Sequence, residues 1–187
     1  MLSFSELKKG IDIIYNNEPY EIIEASLMFK GRGHSTLQVK LKNLIIGNII
    51  PQTFHPSDSF KEANISKIKA KFLYNHRGEY VFCEEKNPGA RFELTEEQIG
   101  PQSKFLKQNE IVEGLVFEGK IVNISLPIKM IFKVVESPPG VKGDRAQAGT
   151  KVVTLETGAK INAPLFIETD DIIEINTETG EYVRRVE

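Results

Sequence analysis

Most of the chain consists of short runs in which polar and apolar residues alternate, separated by clusters of Gly, Pro and Asn. Residues 36–42 and residues 68–74 both alternate in this way. A period of two is typical of strands with one buried face. Residues 95–98 read Thr-Glu-Glu-Gln, which has the Thr-x-x-Gln form of a capping box and predicts the start of a short helix. The pattern therefore predicts an all-β protein with one short helix.

The runs fall into three groups, each large enough for a small domain. Residues 1–64 contain short strands and tight turns and predict a small barrel. Residues 65–127 contain strands with one short helix between them, which predicts a five-stranded OB-type barrel. Pro127 interrupts the pattern, and residues 128–187 repeat a similar strand order. We expect a second OB-like barrel there.

One stretch of the first group predicts a projecting hairpin. Residues 30–34, which we call the tip segment, read Lys-Gly-Arg-Gly-His and place Arg32 between two glycines. Glycine tolerates positive φ, so a chain can reverse there and approach another molecule closely. Arms of about eight residues would carry the tip roughly 25 Å. An ordinary surface hairpin with a basic turn is the alternative that this stretch leaves open.

Composition describes a soluble globular chain and excludes several classes. Of 187 residues, 40% are hydrophobic and 27% are charged, and no apolar run approaches the roughly 20 residues that a membrane helix needs. No charged-then-apolar leader is present either, so we expect a cytoplasmic protein without a membrane partner. The single cysteine, Cys83, cannot form an internal disulfide and lies in a strand-like run, which favours a core thiol.

The distribution of charge is more informative than the net charge of −2. Residues 25–57 contain no Asp or Glu, whereas Lys30, Arg32, Lys40 and Lys42 all fall inside that window. Since basic clusters attract the phosphates of nucleic acid, the window predicts a polyanionic partner for the hairpin.

No motif predicts covalent chemistry. The three histidines lie about twenty residues apart without the Cys/His spacing of a zinc site. The Gly-Arg-Gly of the tip segment lacks the remaining glycine spacing of a nucleotide-binding loop. Acid pairs such as Glu84 and Glu85 are adjacent in sequence, so in a strand they would point to opposite faces. We therefore expect a binding protein with no metal and no cofactor.

Several segments, in this order and spacing, resemble the bacterial elongation factor P family along the whole chain. They are the tip segment, residues 39–47 (Val-Lys-Leu-Lys-Asn-Leu-Ile-Ile-Gly), residues 137–144 (Ser-Pro-Pro-Gly-Val-Lys-Gly-Asp), residues 154–159, residues 163–167 (Ala-Pro-Leu-Phe-Ile) and residues 179–186. The resemblance implies an SH3/KOW-like first domain and two OB domains in an L-shaped, tRNA-like arrangement.

The resemblance also implies a function. Family members bind the ribosome between the P and E sites and relieve stalling at consecutive prolines by positioning the peptidyl-tRNA. The expected partners are ribosomal RNA and the P-site peptidyl-tRNA, and the expected state is a monomer that is not an enzyme.

Site residues carry over from the family by position. Arg32 would reach the acceptor end of the tRNA, within a tip loop that also contains Lys30, Gly31, Gly33 and His34. Ribosome- or tRNA-binding roles fall on basic residues of the hairpin, on a loop near the small subunit and E-site codon, and on a strand near the anticodon arm. These residues are Lys40, Lys42, Gly143, Asp144, Arg145, Gly149, Lys151, Tyr182 and Arg185.

Two features depart from the common family pattern. Lys30 stands where the family often has proline, and Val152-Val153 follow Lys151 where the family often reads Pro-Ala. The tip residue in the family is a lysine extended by an amine-bearing group or an arginine that can be rhamnosylated. Here it is Arg32, so the hypotheses are rhamnose added by an arginine rhamnosyltransferase or an unmodified side chain.

Two alternatives stay open from the sequence. One is a divergent paralogue of the same family with another ribosomal role. The other is a free-standing, OB-fold single-strand RNA-binding protein, a class that places aromatic and basic residues on one face of its strands.

Overall fold

A computed structural model of the protein describes residues 1–30, 34–139 and 149–186. Within these ranges the chain forms three separate β-sheets and a single α-helix of four residues. The prediction of an all-β fold with one short helix is confirmed. Every strand pair with an assigned register is antiparallel.

The first sheet has six strands in the order β1-β6-β2-β3-β4-β5. They are β1 (Leu2–Ser3), β2 (Asp12–Tyr15), β3 (Glu18–Lys30), β4 (His34–Asn43), β5 (Ile49–Phe54) and β6 (Ser59–Glu62). A 3-10 helix, Phe4–Glu6, follows β1. The fully buried side chains of Ile13, Ile22 and Leu41 form the centre of the core that this sheet encloses.

The second sheet has five strands in the order β11-β10-β7-β8-β9. They are β7 (Ile65–His76), β8 (Glu79–Glu84), β9 (Arg91–Thr95), β10 (Ile111–Phe117) and β11 (Lys120–Ser125). Phe72, Phe82 and Phe92 are cross-strand neighbours on β7, β8 and β9, and successive ring centroids lie 5.3 Å apart. Aromatic pairs of this kind stabilise a sheet beyond their buried area.

The third sheet has five strands in the order β14-β13-β12-β15-β16. They are β12 (Lys129–Glu136), β13 (Thr150–Leu155), β14 (Lys160–Pro164), β15 (Ile172–Asn176) and β16 (Glu181–Val186). The two edge strands, β14 and β16, also contact each other, so the sheet curls into a barrel. Along β12 buried and exposed residues alternate, with Met130, Phe132 and Val134 facing the core.

The chain divides into two compact units. One contains Met1–Gly100 and Glu113–Ser125, and the other contains Pro101–Val112 and Leu126–Glu187. The first and second sheets therefore share most of one unit. The segment Pro101–Val112, which includes most of a second 3-10 helix (Gly100–Phe105), packs with the third sheet, where Phe105 contacts Phe132 at 5.7 Å between ring centroids.

The helix α1 (Glu96–Ile99) begins where the sequence predicts it. Thr95 is its N-cap: the backbone N–H of Gln98 donates to Thr95 Oγ1 at 3.3 Å, and the backbone N–H of Thr95 donates to Gln98 Oε1 at 2.9 Å. This reciprocal pair satisfies two N–H groups that a helix start otherwise leaves without a partner.

A turn between β4 and β5 docks on α1, and we call this contact the Gly47 joint. Gly47 has a φ of +77°, and a Cβ added to it would lie 2.6 Å from the carbonyl oxygen of Gln98 and 2.9 Å from that of Glu97. The Gln98 side chain, whose oxygen serves the cap, donates through Nε2 to the carbonyl of Ile45 at 3.1 Å. Asn123 donates to the carbonyl of Gln98 at 2.8 Å. The joint therefore connects the first sheet to the second through backbone contact.

The fully buried amide of Asn43 holds the turn that presents Gly47. Its Oδ1 accepts from the N–H groups of Ile45 at 2.8 Å and Ile46 at 3.0 Å, and its Nδ2 donates to Glu18 at 2.6 Å. The N–H of Gly47 donates to the carbonyl of Asn43 at 3.0 Å. Because every polar atom of this side chain has a partner, its burial does not carry the cost of an unsatisfied group.

An acidic cluster lies on β2, β3 and β6. Asp12 on β2 pairs across the strands with Glu21 on β3, and the two share a cavity of about 200 Å³ with Lys67. Burial, then repulsion from Glu21 and Glu62, raises the pKa of Asp12 to about 6, although Lys67 opposes the shift. Compared with the unfolded chain, the folded state therefore favours the uncharged carboxyl.

We expect a Gly47→Ala variant to lose about 2 kcal/mol or more of unfolding free energy, because the new Cβ would overlap two carbonyl oxygens at an unfavourable φ. The measurement is the denaturant midpoint. Gly119→Ala is a matched control: its φ is +78°, but nothing lies within 4 Å of an added Cβ, so only the cost of about 1 kcal/mol for positive φ applies. Equal losses in the two variants would contradict the joint.

We expect Asp12→Asn to stabilise the protein more at pH 7.5 than at pH 4. The folded pKa of about 6 exceeds the unfolded pKa near 4, so the contribution of the wild-type carboxyl is complete below pH 4 and is lost as the pH rises through 6. Since Asp12 is only half buried, solvent screening limits the difference to about 1 kcal/mol. Thermal unfolding at both pH values measures it, and an effect independent of pH would rule out this origin.

Candidate nucleic-acid interface

The strands β3 and β4 form the predicted hairpin, which we call the finger hairpin. Their register runs from Tyr20 opposite Asn43 to Lys30 opposite His34, with one irregularity between Ile22 and Glu24. The third strand, β5, pairs with β4 only as far as Leu37 opposite Phe54. Beyond that rung the hairpin continues for three described rungs as two strands, roughly 10 Å. The projecting part is thus shorter than the roughly 25 Å expected from the arms, because β5 supports their lower half.

Part of the tip segment lies outside the described residues. Lys30 and His34 are opposite each other in the register at the ends of β3 and β4, so these two strands form the predicted hairpin up to its last described rung. Gly31, Arg32 and Gly33 fall outside the described ranges, and their assigned roles stay predictions.

Strand pairing places acidic residues beside the lysines at the base of the finger hairpin, which lowers the net positive charge there. Lys40 Nζ lies 2.9 Å from a carboxylate oxygen of Glu24, a residue just before the acid-free window. Lys42 pairs across the strands with Glu21. Lys40 and Glu24 are both more than half exposed, so solvent screens their attraction and the pair contributes little stability. An open groove of about 600 Å³ follows this flank, lined by Glu24, Lys40 and neighbouring polar residues of β5.

Three consecutive apolar residues near the end of β3 are exposed, and the sequence-based prediction did not identify them as a feature. Leu27 is 47%, Met28 is 45% and Phe29 is 81% exposed. Leu27 stands opposite Leu37 and Phe29 opposite Ser35, on the face that forms the core lower down, whereas Met28 stands opposite Thr36 on the other face. The signal was available: an unbroken apolar run on both faces of a predicted strand departs from the alternation of a half-buried strand.

Several of the predicted ribosome-binding residues lie in or next to the third sheet, where they form a second candidate surface. Gly149 precedes β13 and packs on Leu165, whose side chain occupies the space that a Cβ would need, and the N–H of Leu165 donates to the Gly149 carbonyl at 3.3 Å. The half-buried Lys151 pairs with Ala163 in the same hairpin. Gly143, Asp144 and Arg145 lie outside the described residues.

Arg185 and Tyr182 lie on β16, opposite the buried Ile173 and Ile175 of β15. The Arg185 guanidinium lies 3.6 Å from an Asp171 oxygen, and its centre is 6.0 Å from the ring centroid of Phe166. Phe166, the residue after Leu165, is 60% exposed. Gly149 thus contacts Leu165, and Arg185 contacts the next residue, Phe166. Tyr182 is half-buried.

The neighbouring Arg184 has a different environment. Its guanidinium donates to Glu174 Oε2 through Nε at 3.3 Å and Nη2 at 3.1 Å, and Lys129 lies 3.7 Å from the other oxygen. The Glu174 side chain is only 11% exposed. Arg184 therefore neutralises a largely buried carboxylate, whereas Arg185 faces an exposed aromatic ring.

The described ranges offer neither a metal site nor a membrane-spanning helix. Among those residues, no three His, Cys, Asp or Glu side chains come close enough together to hold a metal ion. The same part of the chain contains no helix with the length and apolar character needed to cross a membrane.

Comparisons with known proteins match all three parts of the chain. Residues 3–60 match the model of the elongation factor P KOW-like domain, residues 65–124 match the elongation factor P OB domain, and residues 130–185 match the elongation factor P C-terminal domain.

Relatives match over their whole length. The proteins called elongation factor P from Thermotoga petrophila and Desulfotalea psychrophila are 40% and 38% identical to this chain, and each match covers at least 99% of both chains. Two solved structures, a translation initiation factor eif-5a family protein from Naegleria fowleri and eukaryotic translation initiation factor 5A from Methanococcus jannaschii, are 15% and 19% identical, with TM-scores of 0.44, covering 66% of this chain and 94% of theirs. The three domain matches and the full-length relatives show that this chain belongs to the elongation factor P family.

Proposed function

We propose that this translation elongation factor binds the ribosome between the P and E sites and accelerates peptide-bond formation at consecutive prolines. The observation that carries the proposal is the finger hairpin on a scaffold that matches elongation factor P from end to end. A two-stranded projection beyond the first barrel can contact a partner at a distance from that barrel.

The factor would act by positioning the peptidyl-tRNA rather than by covalent catalysis. Proline is a poor nucleophile with a fixed φ, so the alignment of both reactants limits the reaction. Each 1.4 kcal/mol or so of improved alignment would raise the rate about tenfold. The ribosome supplies the catalysis, so the factor needs no metal or cofactor of its own.

The finger hairpin has two kinds of contact in this proposal. The tip segment, with Arg32 at its centre, reaches the acceptor end of the P-site tRNA. Lys40 and Lys42 bind phosphates near the base. The exposed pair between Lys40 and Glu24 can exchange its carboxylate for a phosphate at little cost, because both side chains are already largely hydrated.

The third sheet supplies a second group of contacts. Residues 143–145 and 149–151 approach the small subunit and the E-site codon, and the Leu165 contact fixes where this loop enters β13. Tyr182 and Arg185 contact the anticodon arm of the tRNA. Arginine over an exposed aromatic ring is a surface on which RNA bases and phosphates can both be bound.

The remaining proposals concern the cellular setting. The protein acts as a monomer in the cytoplasm, with ribosomal RNA and the P-site peptidyl-tRNA as partners. Arg32 is modified with rhamnose by an arginine rhamnosyltransferase, or else it acts unmodified.

We expect Arg32→Ala to lose most of the relief of stalling, about tenfold or more in rate, when an oligoproline reporter is translated in a reconstituted system. Arg77→Ala is a matched control, since Arg77 also precedes a glycine at a hairpin turn but lies in the second sheet, between β7 and β8. Failure of the wild type to relieve stalling would end the proposed function. Equal activity of the Arg32 variant would end only the tip assignment.

The same assay separates the two states of Arg32. Protein purified from its native host is compared with protein made in a host without the modifying enzyme, and the mass of the Arg32 peptide is measured. A deoxyhexose increment with higher activity supports rhamnose, whereas an unchanged mass in the native protein ends that proposal.

We expect the neighbouring arginines of β16 to separate stability from binding. Arg184→Ala leaves the largely buried Glu174 with only Lys129 and should cost about 2 kcal/mol of unfolding free energy while ribosome affinity is retained. Arg185→Ala removes an exposed contact, so it should weaken ribosome binding severalfold and change stability by less than about 1 kcal/mol. Unfolding midpoints and ribosome pelleting measure the two effects, and the reverse pattern would contradict the assignment.

A further inference from the structure

Phe29 is the most exposed large apolar side chain in the described part of the chain apart from Met1, at 81%. Its neighbours Leu27 and Met28 are exposed by about half as much. Burying a Phe side chain is stabilising, so this ring would contribute to binding if a partner covered it.

The register of the finger hairpin limits the size of the apolar surface. Phe29 and Leu27 share one face, while Met28 lies on the other, and the residue opposite Phe29 is the small, polar Ser35. A Phe side chain buries about 200 Å² at most, whereas a stable protein interface needs roughly 800 Å² from each partner. One ring beside one leucine would not form a protein interface by itself, and its size matches the face of a single nucleobase.

The charge around Phe29 points in the same direction. No Asp or Glu occurs between residues 25 and 57, and Lys30 and Arg32 follow the ring directly in sequence. The acid before it on β3, Glu24, is paired with Lys40. An aromatic residue followed closely in sequence by basic residues is a combination with which proteins bind single-stranded RNA, since the ring stacks on a base while the cations bind phosphates.

We propose that Phe29 stacks on an unpaired base at the 3′ end of the P-site tRNA and so positions that end. This inference rests on the proposed function, which places the finger hairpin beside the tRNA. The paired backbone of β3 and β4 fixes the position of the Phe29 Cα, so stacking restricts only the two side-chain torsions of this residue. Phe29 is then a positioning residue that holds the tRNA end without taking part in the bond exchange.

The test replaces the ring while retaining its apolar character. Phe29→Leu keeps a large apolar side chain without a π-face, and Phe29→Trp enlarges the π-face. If the ring stacks on a base, Phe29→Leu and Phe29→Ala should both raise the factor concentration needed for half-maximal relief of stalling by roughly tenfold, while Phe29→Trp keeps wild-type activity. Met28→Ala, on the opposite face, is the matched control and should behave as wild type. Because Phe29 is so exposed, the Phe29 variants should unfold at the wild-type temperature.

A second measurement identifies the RNA. A P-site tRNA with an azidoadenine at its 3′ end should crosslink, on irradiation of the ribosome complex, to the peptide that contains Phe29, and Phe29→Leu should reduce the yield. Crosslinks from the azidoadenine to ribosomal RNA alone, with none to the peptide that contains Phe29, would overturn the tRNA assignment.

The remaining outcomes are distinct. If wild type relieves stalling and Phe29→Leu matches it, the stacking inference is wrong and the proposed function stands. If wild type gives no relief, the proposed function fails and the inference falls with it.

Discussion

The contact between Gly47 and the carbonyl groups of α1 is the constraint on which the finger hairpin depends. At this point two backbones touch with no side chain between them, and only a residue without a Cβ leaves the required space. The turn that presents Gly47 continues directly from β4, so the root of the finger hairpin is fixed to the second sheet. A protein that works by positioning a substrate needs such a root, since a loose joint would spread the tip over many orientations and lose the entropic advantage of alignment.

Gln98 shows how local and tertiary requirements are met by one side chain. Its oxygen caps α1 and its nitrogen binds Ile45 in the docked turn, while its carbonyl accepts from Asn123. The sequence predicts the first role from the Thr-x-x-Gln spacing alone, because capping is a short-range interaction. The other two hydrogen bonds connect Gln98 to residues that are 53 and 25 positions away in the sequence, and no local pattern predicts contacts over such distances. The all-β fold and the helix start were therefore predictable, whereas the joint was not.

The charges of the candidate site show the same limit. A count along the chain correctly finds a window without acids, yet strand pairing places Glu24, one residue outside it, against Lys40. Likewise Arg184 and Arg185 are equivalent in the sequence, and only the position of the buried Glu174 separates a structural arginine from an exposed one. Roles assigned to the tip segment and to residues 143–145 came from family resemblance and stay predictions. The sequence does not predict the exposure of Phe29, because that exposure depends on where β5 ends.

We propose that this protein accelerates the reaction by holding the tRNA in place, without transferring a proton. The most direct test is the single-turnover rate of bond formation between two prolines, measured with and without the protein from pH 7 to pH 8.5. Positioning predicts an acceleration whose size is the same at every pH, because only the ribosomal reaction titrates. An absence of acceleration, or an acceleration that follows the titration of a group on the protein, would contradict the account.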